Sequence, residues 1–478
     1  MPRIASLVLV ATSLATALSA QATWTQVSAT PAPTAAGGTV GVSDGAGMYV
    51  FGGLTSNVGG VFTYSDRLWR FDGINWIDLT PAAGLPPARH FYAACWDIGR
   101  QRYVLFGGQN SPSASSTLPD LNDTWEWNGT SWTQMTPANS PSPRRWAAMY
   151  YDVLTARCIL FGGNTQYGTN TAAAYSNETW AWDGVNWTQL TPATSPLARA
   201  RGFFSYDPLR LKAIYYGGRN TGALSDTWQF DGTNWTQLTT NAGPGSLGVS
   251  GLFAYGATYD PLRDRHVIFG GTRTGGTLAG TWEFDGVATW VDRGVQAGGP
   301  PSRTGPSLAY VTALGRSVLW GGFQTAFLGD TWTYQSANLA SATTIGTGCA
   351  GTAGITQLTA ATLPWTGSAY TLRLSNLGGL AIPFVTLGFS TTSWSGGSLP
   401  FALNLLVPTA GAGCNLLSSP DVANLVTNNS GTAELAINVP ANAALAGLPI
   451  SAQGLVLEVV PTELISASNA VSGVLGVR

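Results

Sequence analysis

Four arginines stand at one recurring place in this chain. Arg89, Arg144, Arg199 and Arg303 each close a Pro-x-x-Arg step, with Arg145 and Arg201 close by. A forked guanidinium matches the geometry of a carboxylate or sulfate, so several converging on one spot would hold an anionic group. The competing chemistry is internal, each arginine pairing with an acid of a neighbouring repeat, such as Asp123, Glu178, Asp226 or Asp330, or capping backbone carbonyls. Groups for catalysis are scarce. The chain has two histidines, His90 and His266, and no Ser/His/Asp or Cys/His arrangement is readable. No cysteine has metal-ligand spacing, and the glycine-rich stretches fall at strand ends and turns, where a phosphate loop does not form. No catalytic residue, metal or cofactor is assigned. His90 is placed near the start of an inner strand, facing a channel mouth, and His266 at an outer, structural position. Tyr64, Tyr167 and Tyr175 join the arginines as candidates, with Asn110, Asn164 and Asn170 beside them, a mix suited to stacking on sugars or gripping a peptide.

The elements that must position these groups recur six times. A double glycine follows an aromatic or apolar run at Gly52-Gly53, Gly107-Gly108, Gly162-Gly163, Gly217-Gly218, Gly270-Gly271 and Gly321-Gly322. Each pair precedes a tryptophan that opens a strand (Trp69, Trp125, Trp180, Trp228, Trp282, Trp332), and the first five have a second tryptophan at Trp76, Trp132, Trp187, Trp235 and Trp290. The sixth partner sits at the other end of the chain, where Trp24-Thr25-Gln26-Val27 matches Trp132-Thr133-Gln134-Met135, so the first strand closes the last unit. Each copy reads as four strands with tight turns of the Asn128-Gly129 kind. The Asp-Gly-x-x-Trp segments at Asp72, Asp183 and Asp231 read as hairpin turns held by Asx side-chain bonds. A unit of this size cannot bury both faces alone, and radial packing about a channel is the usual solution.

The glycine pairs, the second-strand aromatics and the two spaced tryptophans resemble the kelch repeat. The resemblance implies an all-β fold, a six-bladed kelch-type β-propeller closed by the N-terminal strand over residues 23–337. Its blades are expected at 36–79, 89–135, 144–190, 199–238, 252–292 and 303–335, the last completed by 23–28. Copies vary: the first lacks the Pro-x-x-Arg step and the fifth has Leu252 in place of arginine. In a closed ring the equivalent arginines converge near one mouth, and kelch propellers commonly bind ligands or peptides there. The kelch copper oxidases use paired histidines with a tyrosine linked to a cysteine, a set that two isolated histidines do not supply.

Composition narrows the rest. With 10% charged residues, net charge −2 and Lys212 as the sole lysine, neither a nucleic-acid surface nor a polybasic membrane contact is favoured. Arg3, an apolar stretch from Ile4 to Leu18 and Ala20-Gln21-Ala22 fit a signal peptide over residues 1–22, leaving no transmembrane segment after cleavage. Beyond a linker at 338–345, residues 346–478 show short apolar runs at Ala369–Leu374, Ile382–Phe389, Phe401–Val407, Ala433–Val439, Leu455–Val460 and Ala470–Val477. Their spacing predicts a C-terminal β-sandwich. Cys349 and Cys414, in Gly-rich surroundings, are expected to pair in an exported protein. Cys95 and Cys158 lie in apolar strands of neighbouring repeats and read as buried thiols or, failing that, a cross-blade bridge.

The expected function is a secreted, noncatalytic binding or adhesion module, periplasmic, on the cell surface or extracellular, taking an extracellular glycan or protein at the propeller mouth. The alternatives are a carbohydrate-active enzyme, such as an epimerase or lyase on acidic sugars, and a structural surface or matrix component.

Overall fold

The computed structural model describes residues 22–113, 119–166, 171–244, 251–336, 340–410, 413–441, 445–458 and 464–476. The expected signal peptide, apart from Ala22, and Tyr167 and Asn170 lie outside the described residues. The chain divides into two compact units, Thr23–Gln335 and one containing Ser336–Arg478.

Thr23–Gln335 holds six four-stranded antiparallel sheets, and each is one blade. Blade one is Val42–Ser43, Met48–Phe51, Leu68–Phe71 and Trp76–Asp78; blade two is Ala93–Asp97, Arg102–Gly108, Leu121–Trp127 and Trp132–Met135. Blades three and four run from Ala148–Asp152 to Trp187–Leu190 and from Phe204–Asp207 to Trp235–Leu238, and blade five from Gly256–Asp260 to Trp290–Gly294. Blade six takes three strands from Ser307–Gln335 and its fourth from Thr23–Val27, which pairs with Thr331–Gln335. The first strands neighbour one another in order from blade one to blade six and back to blade one. The apolar core accordingly lies between blades. One cluster joins Tyr49 and Phe51 of blade one to Tyr92 and Tyr103 of blade two, and another joins Cys95 and Phe106 to Cys158 and Leu160 across the next seam.

The double glycine is the joint between blades. The second glycine of every pair donates its N–H to a carbonyl of the next blade: Gly53 to Arg89, Gly108 to Arg144, Gly163 to Arg199, Gly218 to Leu252, Gly271 to Arg303 and, closing the circle, Gly322 to Ala36, all at 2.8–2.9 Å. The first glycine lies against that same carbonyl. A Cβ on Gly52, Gly107, Gly162, Gly217, Gly270 or Gly321 would fall 2.6–2.8 Å from it, and all six have positive φ. Only glycine meets both demands.

A second joint uses the fourth-strand tryptophans. The indole N–H of Trp76, Trp187, Trp235, Trp290 and Trp24 donates to the hydroxyl of Thr331, Thr124, Thr179, Thr227 and Thr281, each the threonine that precedes the third-strand tryptophan in the preceding blade. Blade one carries Leu68 at that position, and Trp132 Nε1 of blade two is buried without a hydrogen-bond partner. The hairpin turns are Asx turns: Oδ1 of Asp72, Asp183 and Asp231 accepts backbone N–H groups two and three residues on, and Asn128 does the same.

In the second unit a five-stranded sheet (order Ser341–Ile345, Leu464–Val474, Pro449–Glu458, Ile382–Gly388, Val422–Leu425) and a three-stranded sheet (Gln357–Ala360, Ala369–Ser375, Thr432–Asn438) share one core around Leu358, Leu372, Val385, Ala452 and Val471. Cys349 and Cys414 are disulfide-bonded. Two expectations need correction. The stretch 338–345 expected as linker contains the edge strand Ser341–Ile345, whose polar residues mask it in the sequence. The run Phe401–Val407 gives a two-residue strand and then a turn at Leu403–Leu405, with Leu405 and Leu406 exposed.

Candidate functional site

The repeated arginines do not stand open at the mouth. Arg89, Arg144, Arg199 and Arg303 have 0% side-chain exposure, and each grips its own blade. Nε donates to the carbonyl two residues back (Pro87, Ser142, Leu197, Pro301), and Nη1 to the carbonyl of the blade's first paired glycine (Gly107, Gly162, Gly217, Gly321) at 2.9–3.0 Å. Nη1 and Nη2 together meet Asp123, Asp226 and Asp330, and Nη2 of Arg144 meets Glu178, at 2.5–2.8 Å. Each acid also accepts the indole N–H of the third-strand tryptophan two residues on. Burial pushes these carboxyls up, but the guanidinium bonds and charge win and hold all four below the ordinary range. The acids thus belong to the same blade as their arginine, not to a neighbour. Where the arginine is missing the acid is missing too: blade five has Leu252 and Gly280, blade one has Ala36 and Arg67. An acid left there would be buried without a counter-charge.

The mouth is built by the residue two places after this position. Gly38, Phe91, Trp146, Arg201, Ala254 and Gly305 all have φ between 53° and 73°. Their backbones close a belt: Phe91 N–H donates to Gly38 O (2.8 Å), Trp146 to Phe91 (2.7 Å), Arg201 to Trp146 (3.0 Å), Ala254 to Arg201 (2.7 Å), Gly305 to Ala254 (2.7 Å) and Gly38 to Gly305 (3.3 Å). A left-handed conformation is strained for Phe, Trp and Arg, and the belt holds them there. Above it lies a cup of about 680 Å³, lined by Leu54, His90, Phe91, Trp146, Arg201, Phe323 and Phe327 among others. Along the channel past the belt lie small voids of about 30 and 60 Å³. The cup lies over Gly37, Gly38, Ala254 and Gly305, where small residues leave room, and is walled by aromatic rings.

Of the candidates named from sequence, His90 and Arg201 line the cup. Arg201 stacks on Trp146, Cζ 3.5 Å from the ring centroid, and also faces Phe253, which Arg219 approaches to 5.3 Å. Among the described residues neither Arg201 nor Arg219 has a carboxylate within ion-pair distance, and the Nε of each is buried without a partner. Burial, followed by the charge of Arg219, lowers Arg201 to about 10, so its guanidinium stays charged at neutral pH. Arg145 lies behind, 4.6 Å from the Trp146 centroid and paired with buried Asp120 at 3.0 Å. His90 is buried and bonds Gln109 through Nε2 (3.2 Å), and burial lowers it to about 3, so it stays neutral. Tyr64 packs edge-on against His90 and donates to the Ser111 carbonyl, and Tyr175 is buried; neither lines the cup. His266 is not at an outer position: it lies buried in blade five with Nδ1 2.8 Å from Ser205 Oγ of blade four. Phe91, Trp146, Phe253 and Arg219 were not singled out from sequence. Their signal is positional, since the first two stand two residues after the braced arginine and Arg219 directly follows Gly218.

A ring of antiparallel four-stranded sheets around a central channel, with a ligand-sized cup at one mouth, defines a β-propeller. The residues 11–201 match the family described as the KLHDC2/KLHL20/DRC7 Kelch-repeats domain. The chain is 30% identical over 124 residues to dynein regulatory complex subunit 7 of Chlamydomonas reinhardtii, a stretch covering 25% of this chain and 10% of that relative. Among solved structures, "Structure of YjhT" aligns at TM-score 0.49 and 14% identity over 64% of this chain and 99% of that one. A fungal alcohol oxidase of the AA5 family in complex with copper aligns at TM-score 0.40 and 11% identity over 90% and 85% of the two chains. With its six copies of the glycine and tryptophan pattern, this chain is a kelch-repeat protein. No helix among the described residues is long and apolar enough to cross a membrane.

Proposed function

We propose that this chain is a secreted, noncatalytic binding protein whose propeller mouth holds an acidic glycan. The observation that carries this reading is the cup itself: aromatic walls at Phe91 and Trp146 beside Arg201, a guanidinium stacked on an indole and, among the described residues, lacking a carboxylate partner. Aromatic faces suit the apolar face of a sugar ring, and a desolvated guanidinium suits its carboxylate or sulfate. No Asp or Glu stands among the cup's lining residues and His90 is held neutral, which supports binding over acid–base turnover. The Cys349–Cys414 disulfide and the apolar N-terminal stretch support export.

The test is an array of neutral and acidic glycans probed with residues 23–478 and with Arg201→Leu, with Arg67→Leu as an exposed control outside the cup. Binding to acidic glycans that Arg201→Leu abolishes and Arg67→Leu leaves intact is the expected result. An array with no bound glycan, or binding indifferent to Arg201→Leu, refutes the glycan reading and turns attention to a protein ligand.

A further inference from the structure

Cys95 lies on the first strand of blade two and Cys158 on the second strand of blade three, strands that pack against each other across one seam. Both side chains are buried, at 5% and 0% exposure, in the cluster that includes Val104, Phe106, Met149 and Trp187. Their sulfurs stand 2.7 Å apart. That is closer than two unbonded sulfurs rest against each other and little more than the roughly 2.05 Å of a bond, so bonding needs only a small side-chain adjustment. Repeats elsewhere in the chain do not carry this pair: Cys95 is matched by Tyr150 in blade three and Ser205 in blade four. The chain's other two cysteines are already bonded to each other.

We infer that Cys95 and Cys158 form a second disulfide, a covalent staple between blades two and three. The bond forms by thiol–disulfide exchange with an external disulfide oxidant. One cysteine thiolate attacks the oxidant and displaces one of its thiols; the second thiolate then attacks the mixed disulfide and releases the other. Two protons and two electrons leave the protein, and the oxidant departs as its two reduced thiols. Because the folded seam is dry, with burial raising the Cys95 thiol, exchange belongs to folding, before the seam closes. The staple would tie together the two blades that supply Phe91 and Trp146 to the cup.

The test uses the full chain, refolded from the reduced, unfolded state in a glutathione redox buffer. It is then blocked with an alkylating reagent under denaturing conditions and digested with trypsin without reduction. The expected product is His90–Arg100 joined to Cys158–Arg199, lighter than the two free peptides by two hydrogens. The Cys349–Cys414 linkage in the same digest is the internal control for oxidation. Alkylation of both Cys95 and Cys158 in protein that is folded and carries the control linkage overturns the inference. If the control linkage is also absent, the refolding from the reduced, unfolded state is repeated with a stronger, small disulfide oxidant, and failure to link there once the control linkage has formed overturns it as well. A Cys95→Ala/Cys158→Ala variant gives a second reading: its urea midpoint should lie below that of the oxidised protein. Equal midpoints for variant and oxidised protein argue against a staple.

Discussion

Replacing Arg199 with leucine leaves Asp226 accepting from Trp228 alone, in a pocket where its side chain keeps 21% exposure. Replacing Asp226 with alanine does worse, stranding a guanidinium with no exposure at all. Breaking a buried pair from one side costs about 3–5 kcal/mol, and we expect Asp226→Ala near the top of that range and Arg199→Leu near the bottom, because water reaches the acid. The double variant imitates blade five, where Leu252 and Gly280 occupy the same two positions and the blade still forms. It forfeits the bonds to the Leu197 and Gly217 carbonyls but strands no charge, so its cost should not exceed that of the worse single change. The coupling between the two sites is then at least the cost of the smaller single change, about 3 kcal/mol. Urea unfolding followed by tryptophan fluorescence reads the cycle, since all of the 19 tryptophans except Trp365 and Trp394 lie in the propeller and urea leaves ionic strength unchanged. Costs that add to within about 0.5 kcal/mol would refute the idea that arginine and acid act as one brace.

Thr179→Val removes the acceptor of the buried Trp235 indole at constant shape, and should cost about 1–3 kcal/mol in the same urea assay. Gly162→Ala drives a Cβ to 2.6 Å from the Arg199 carbonyl, whereas Gly59, also at positive φ, has nothing within 4 Å. Gly59→Ala should therefore cost about 1 kcal/mol of backbone strain, and Gly162→Ala clearly more, by thermal unfolding. Glu283 is buried among Arg263, Arg293 and Tyr334; burial raises its carboxyl, but the arginines prevail and lower it from 4.5 to about 2. A carboxyl lowered on folding contributes stability above its unfolded value. That contribution, about 3 kcal/mol, should fade as the pH falls from 4.5 through 2, and Glu283→Gln should flatten that part of a stability-against-pH curve.

The architecture was legible because its joints admit few residues. Only glycine fits between a blade's second strand and the next blade's carbonyl, so the pairs persist in all six copies and their spacing counts the blades. The arginines were misplaced for the same reason. A position kept through the repeats was taken for a shared binding surface, when it is kept because Asp123, Glu178, Asp226 and Asp330 are kept with it. The clue lay in the chain itself, since blades one and five lack both members. The cup residues were hard to see because they differ from copy to copy: Gly38, Phe91, Trp146, Arg201, Ala254 and Gly305 share a backbone conformation and little else. In the second unit most apolar strands were readable, while Ser341–Ile345 and Val422–Leu425 were missed, being short edge strands with at least half of their residues exposed, the first of them mostly polar.

The belt beneath the cup also has an electrostatic consequence. A helix stacks its peptide dipoles in line and so presents a positive end to an anion. Here six N–H···O=C links run head to tail around a circle, and dipoles laid tangentially around a circle cancel across its axis. The floor of the cup therefore carries neither a positive nor a negative pole, and has no loose end at which to fray. Whatever charge the mouth prefers is set by the side chains standing on the belt, which can be exchanged blade by blade while the hoop stays intact.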